Sequence, residues 1–319
     1  MHEERFDVAV VGYGPTGLVL ASLLGQMGHR VVVVERWPTL YGLPRLTHID
    51  GETARVLSFA CDIDYALRDS SPLTSYLFLD ANGRTLVDSS ARPEPSMGFP
   101  AHISIHQPDI EDAMDKQIRQ LTNVTLKQGV TLAGVRLELN EAYLTVRTQD
   151  KNETLRAKFV FGADGARSQV RSSLGIGLED FGFNERWLNV DSERKRDLPA
   201  KFNRTTQFCD PRRGYMFMPI GKTRQRFEFA LLRNEDMDTM QSPSTAWRLL
   251  GQYHGISSDD ISIIRQIVYT FECRLAETWR QGVALLGGMR LTPCRPILDR
   301  VHAPESAMRR ISPGNSILC

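Results

Sequence analysis

Gly12-Tyr-Gly14-Pro15-Thr16-Gly17 is the first stretch whose residue types and spacing could do chemistry. Glycines at this spacing suit a phosphate. Gly12 makes a tight turn, Gly14 lets a pyrophosphate approach the backbone, and Gly17 lets the following helix pack closely on its strand. The helix N-terminus then offers unpaired N–H groups and a positive dipole end to the phosphates. Glu35-Arg36 follows at the end of the next apolar run, where a carboxylate can accept from ribose hydroxyls. An acid there disfavours a 2′-phosphate. These residues alone leave NAD and FAD both open.

The elements that must position them are equally visible. Asp7–Val11 and Val31–Glu35 read as buried parallel strands, because each is a short, nearly continuous apolar run. Between them, apolar residues at 18, 20, 21, 24 and 27 predict a helical face, which Gly28 stops. Three later segments add polar groups. Leu43-Pro44-Arg45 places a cation after Glu35, and His102–Glu111 is a strand-to-helix junction in which Gln107 precedes Pro108. Phe159–Gly162 followed by Ala163-Asp164-Gly165-Ala166-Arg167-Ser168 is a strand, an Asp-Gly turn and a helix start. Taken singly, each has a plain reading: a surface charge, a polar helix start, a turn.

Together and in this order they resemble the FAD-dependent aromatic hydroxylases of the p-hydroxybenzoate hydroxylase class, with the nearest likeness to 3-(3-hydroxyphenyl)propionate hydroxylases. The resemblance runs over about residues 5–287 and continues through Cys209-Asp-Pro-Arg212, Arg226-Phe-Glu-Phe229 and Val268–Arg274. It implies that Gly12, Gly14, Pro15, Thr16, Gly17, Glu35 and Arg36 hold the ADP half of FAD. Arg45 would then contact the flavin nucleotide and Gln107 the ribityl chain. Asp164, Gly165, Arg167 and Ser168 would form the Asp-Gly motif shared between FAD pyrophosphate and NAD(P)H. It also implies an activity: NAD(P)H reduces FAD, and a flavin C4a-hydroperoxide hydroxylates a phenolic aromatic acid with O2. No acid–base catalyst is assigned. His48, Asp50 and Arg226 are candidate substrate-side groups, each with the alternative of merely orienting Arg45. A flavin-dependent reductase on the same fold and a non-catalytic remnant stay open as other readings.

The pattern breaks after Val283–Gly287. The family continues Asp-Ala-Ala-His and then Pro-Pro; this chain reads Gly288-Met-Arg-Leu-Thr-Pro-Cys-Arg-Pro296. Back-translating Gly288–Pro296 and shifting the reading by one base permits Asp-Ala-Ala-His-x-Met-Pro-Pro. The same shift over Ile297–Cys319 permits Gly-x-Gly and a Leu-Ala-Trp-Lys-Leu signature. The expectation is therefore that 288–319 is an out-of-frame tail. Its five arginines (290, 295, 300, 309, 310) against Asp299 and Glu305 fit that reading.

The architecture expected is α/β: a doubly wound FAD-binding domain from 1–74, 100–178 and 265–287, with an inserted β-sheet substrate domain from 75–99 and 179–264. Tyr76–Asp88 should form a hairpin turning at Asn82-Gly83. In 319 residues, Lys+Arg 39 against Asp+Glu 38 argues against nucleic acid or a membrane surface as partner. The cysteines show no metal-ligand spacing with histidine and no CxxC pair, which reads as reduced thiols and a cytoplasmic protein. Oligomeric state is not fixed by the sequence.

Overall fold

A computed structural model describes residues 5–90, 98–148 and 151–288. The expected out-of-frame tail lies, from residue 289 on, outside the described residues. The fold is α/β, as expected, and its described residues divide into two compact units.

The first unit comprises the described residues up to Tyr41, Asp115–Asn184 and those from Phe271 on. Its sheet has the strand order Arg280–Gln281, Ala284–Leu286, Asn152–Gly162, Arg5–Val11, Val31–Glu35, Val124–Gln128. From Ala284–Leu286 onward the neighbours pair parallel, with Val8 opposite both Phe159 and Val31. The hairpin of Thr131–Leu137 and Ala142–Arg147 adds to Asn152–Gly162 antiparallel. Val31 to Val34 are wholly buried, as a central strand covered on both faces requires.

The helix Pro15–Gln26 starts and ends as expected, with Gly28 in a positive-φ conformation just beyond it. Its buried face differs from the expected one. Gly17, Leu18, Ala21, Ser22 and Gly25 face inward, whereas Met27 is 73% exposed. The reason is closeness: a methyl on Gly25 would meet Val124 Cγ2 at 2.5 Å, so the contact stripe is built of small residues.

The second unit comprises Gly42–Met114 and Glu185–Thr270. Its seven-stranded sheet runs Ile261–Ala276, Leu178–Arg194, Arg224–Ala230, Tyr215–Ile220, Thr205–Cys209, Ser75–Asp80, Thr85–Ser90. The expected hairpin is its last pair, with Gly83 at φ 80° in the turn. Phe202, Phe217, Phe227, Leu188 and Leu249 build the core on one face. Segments 42–74 and 100–114, which the sequence suggested grouping with the dinucleotide fold, contact this sheet. Ser104 Oγ donates to Pro219 O at 2.8 Å, and Asp69 takes Arg224 at 2.5 Å.

Candidate functional site

The expected site residues fall in both units, and each unit builds its own part. In the first, the strand Arg5–Val11 ends where Gly12 N donates to Val34 O at 2.8 Å and Ala163 N donates to Val11 O at 2.7 Å. Gly12 sits at φ 105°, and a Cβ there would lie 2.4 Å from Ala163 O and 3.0 Å from Asp164 Cα. A Cβ on Gly17 would come within 2.0 Å of Gly12 O. Both positions thus exclude side chains because of backbone. Gly14 is different: a Cβ there meets nothing within 4 Å. Gly14 is also the N-cap of Pro15–Gln26, with no side chain capping the helix. The first N–H groups of that helix therefore stay available for an anion.

Glu35 reaches back to this turn. Its Oε2 accepts from Tyr13 N at 2.8 Å and its Oε1 from Trp37 N at 2.9 Å. Tyr13 is buried, and its hydroxyl donates to Asp115 at 2.8 Å; burial, then the Asp115 charge, push its phenol well above the usual range. On the other side of the turn, Asp164 Oδ2 accepts from Gln169 N at 2.6 Å and Val170 N at 3.1 Å, while Oδ1 is buried without a hydrogen-bond partner. Ser168 Oγ accepts from Arg171 N at 3.0 Å and caps the same short helix. Gly165 takes φ 77°, and Arg36 and Arg167 are exposed. An open backbone cradle, an uncapped helix end and an orphaned carboxylate oxygen fit a group that is both anionic and hydroxyl-bearing. A dinucleotide such as FAD is one.

In the second unit Arg45 is exposed and Gln107 is buried. Gln107 Oε1 accepts from Arg45 N at 2.9 Å and Leu46 N at 2.6 Å, and its Nε2 donates to Glu111 at 2.7 Å. Burial raises the Glu111 carboxyl above the usual range, against the lowering effect of Gln107 and Arg45. The candidate substrate-side groups take structural partners. Asp50 caps the helix Gly51–Ala60 by accepting from Thr53 N at 2.8 Å, and His48 Nε2 lies 2.9 Å from His102 Nδ1. Arg226 is buried: its Nε donates to Asp191 at 2.6 Å, and its other nitrogens donate to the carbonyls of Arg45 and Pro44.

Sequence reasoning missed Asp191, Arg265, Glu228 and Asn189. Asn189, Asp191 and Glu228 alternate with apolar neighbours in Leu188–Asp191 and Arg226–Phe229, a pattern that ordinarily marks one solvated sheet face, and Arg265 lies in the strand Ile261–Ala276. Here the polar face is buried as well. Asp191 is 0% exposed, and Asn189, Arg226 and Glu228 are 3% each. Asn189 Nδ2 donates to Glu228 at 3.1 Å, and burial pushes the Glu228 carboxyl up to about 7. Asp69, His106 and Asp109 also converge within 4.8 Å, but Arg224 and Arg68 already pair with the two acids.

The family model described as an FAD binding domain matches residues 5–288. A probable NADH-specific resorcinol 4-hydroxylase of Rhodococcus jostii is 32% identical over 284 residues, covering 88% of this chain and 53% of that protein. A 3-(3-hydroxy-phenyl)propionate/3-hydroxycinnamic acid hydroxylase of Escherichia coli is 30% identical over 283 residues, covering 88% and 50%. The chain thus spans about half the length of the curated relatives it matches. Among solved structures, p-nitrophenol 4-monooxygenase of Pseudomonas putida superposes with a TM-score of 0.80 at 20% identity, over 92% of this chain and 75% of its own. Aklavinone-11 hydroxylase with FAD and aklavinone gives 0.75 at 23% identity, over 92% and 58%. Those two likenesses speak for the fold.

Proposed function

Because the chain belongs to the FAD-binding domain family, we propose that it serves a flavin-dependent monooxygenase, which consumes NAD(P)H and O2 to hydroxylate a phenolic aromatic acid or a related phenol. The observation that carries this is the open, uncapped glycine turn beside the orphaned Asp164 Oδ1. The names of the relatives supply the substrate class. When bound, FAD supplies the redox chemistry and the activation of oxygen.

The chain's own residues bind and orient. Gly14, Thr16 and Gly17 present backbone N–H groups to the pyrophosphate, Gly12 and Pro15 shape the turn that carries them, and Arg36 stands at the rim. Glu35 holds the turn through Tyr13 N and accepts from the ribose with its remaining lone pairs. Asp164 Oδ1 accepts from a cofactor hydroxyl, while Gly165, Ser168 and Arg167 shape and charge that side. Arg45 meets the flavin nucleotide. Gln107, its carbonyl already engaged by two amides, keeps one N–H for the ribityl chain. The functional division into an FAD-binding domain of 1–74, 100–178 and 265–287 and a substrate domain of 75–99 and 179–264 belongs to the same proposal, as does a cytoplasmic location. Among the described residues, no helix is long and apolar enough to cross a membrane.

The proposal includes the reading that the frame is lost at Gly288. The family match ends at that residue. Gly287 N donates to Gly162 O at 2.9 Å, and a Cβ on Gly288 would lie 3.4 Å from Thr16 Oγ1, so the family pattern breaks beside the helix that faces the pyrophosphate. The test is purification followed by flavin absorbance and titration with FAD. NADH and NADPH oxidation, oxygen uptake and hydroxylated product are then measured with resorcinol and with 3-(3-hydroxyphenyl)propionate. Flavin binding with phenol-stimulated NAD(P)H oxidation supports the proposal. A protein with no affinity for FAD, in this frame and in the restored one, refutes it.

A further inference from the structure

Binding side chains are often carried on loops, whose backbone groups must find partners outside helices and strands. Pro44–Leu46 is such a segment. Pro44 has no N–H, so the segment's central bonding groups are the carbonyls of Pro44 and Arg45 and the amides of Arg45 and Leu46. All four are taken by side chains. Gln107 Oε1 accepts both amides. Arg226 Nη2 donates to Pro44 O at 2.8 Å and Nη1 to Arg45 O at 2.9 Å, and Arg265 Nη2 donates to Pro44 O at 2.6 Å. The two arginines are held in turn by one carboxylate. Asp191 Oδ1 takes Arg226 Nε at 2.6 Å, and Oδ2 takes Arg265 at 2.5 Å and 3.1 Å.

Two arginines here share one fully buried aspartate, with Glu228 3.9 Å from Arg226 Nη1. Replacing buried ionic groups by apolar ones is often neutral or stabilising, so stability is a poor explanation for such a triad. Guanidinium forks are suited to something else: fixing two acceptors at once in a rigid plane. The acceptors here are the two carbonyls that flank the Cα of Arg45.

We propose that Asp191, Arg226 and Arg265 are positioning residues, which fix the backbone of Pro44–Leu46 and so aim the exposed Arg45 at an anionic nucleotide. The proposal rests on the reading that Arg45 contacts the flavin nucleotide. It adds a role for three residues that touch no ligand. Gln107 works from the donor side of the segment and the triad from the acceptor side, so neither alone sets the direction.

The test compares Arg226→Lys, Arg45→Ala and the double variant in the full chain. Lysine keeps the charge beside Asp191 but cannot bridge two carbonyls as a fork. FAD affinity is read by quenching of flavin fluorescence, and exchange of the Arg45 and Leu46 amides by hydrogen-exchange mass spectrometry. Arg226→Lys should weaken FAD about tenfold, the scale of a lost charged hydrogen bond, and speed exchange at those amides by a similar factor. In the Arg45→Ala background it should weaken FAD no further. A merely structural role predicts the opposite: equal weakening in both backgrounds, with faster exchange spread over the unit, Pro243–His254 included. Either that result or unchanged exchange at Arg45 and Leu46 overturns the proposal. If Arg45→Ala leaves FAD affinity unchanged, the reading of Arg45 falls, and the exchange data still decide whether the triad holds the segment. Should Arg226→Lys fail to fold, Arg265→Gln removes one bond to Pro44 while leaving the Asp191–Arg226 pair, and is judged by the same exchange measurement.

Discussion

Gly12 and Gly14 are the same residue type two positions apart, and the structure predicts opposite consequences for replacing them. At Gly12 an alanine would need φ near 105°, a strained backbone costing about 1–2 kcal/mol. Its methyl would also lie 2.4 Å from Ala163 O, an overpacking penalty of about 1–3 kcal/mol. The total, about 2–5 kcal/mol, should lower the melting temperature by roughly 5–15 °C in a chain of this size. Gly14 has φ −83° and ψ −174°, extended backbone open to any residue. Alanine there is a poorer cap than glycine, but the less flexible unfolded chain offsets about 0.4–1 kcal/mol. Stability should therefore hold within about 1 kcal/mol. FAD affinity should not hold, because the methyl points into the space where the pyrophosphate is proposed to pack. At about 1–3 kcal/mol for a misplaced methyl, the loss is roughly 5- to 150-fold. Scanning calorimetry and fluorescence titration read the two quantities separately. If Gly14→Ala melts as early as Gly12→Ala, or binds FAD as tightly as the parent, the assignment of Gly14 to the ligand and Gly12 to the fold is refuted.

Glu35→Ala should weaken FAD about 10- to 100-fold by removing a charged acceptor worth about 1.5–3 kcal/mol, which calorimetric titration checks; unchanged affinity would leave Glu35 only its contacts to Tyr13 and Trp37. Glu228 has its folded pKa raised to about 7 from 4.5, so its neutral form is favoured on folding, with no penalty below about pH 4.5 and a growing one as pH rises to 7. Glu228→Gln should therefore gain stability over the parent between pH 5 and pH 8, by up to about 3 kcal/mol; parallel urea-unfolding curves at both pH values would contradict this. Inserting one base near codon 287 should restore Asp-Ala-Ala-His and extend translation past Cys319. Flavin absorbance of the purified product checks it, and an immediate stop or a longer protein without flavin counts against the frameshift.

The part of the site that was legible in the sequence is the part made by local backbone. The turn at Gly12 and the close packing at Gly17 could be placed because both are set within a few residues by φ and the missing Cβ. Val31–Val34 could be placed because a strand buried on both faces has to be apolar throughout. The helix face was legible only in part. Periodicity favoured the large residues, including Met27, but the close approach of Gly25 to Val124 selected a stripe of small ones. No apolarity pattern encodes that distance.

The illegible part is made of side chains brought together from far along the chain. Arg226 meets the carbonyls of Pro44 and Arg45, Arg265 meets that of Pro44, and Asp191 joins those two arginines from another strand. Nothing near Asp191 in sequence marks it, and its alternation with Leu188 and Val190 imitates an exposed strand face. That sequence alone leaves Arg226 open between a substrate-side group and one that orients Arg45 has the same origin. A lone arginine between aromatic residues looks like an anion receptor until its partners are known, and here its donors are committed to Asp191 and to two carbonyls. Such a group acts on a ligand chiefly through what it holds. That argument moves the search for a substrate contact from Arg226 to groups with uncommitted atoms on the same buried face, such as Asn189, whose Oδ1 is buried without a hydrogen-bond partner beside Glu228.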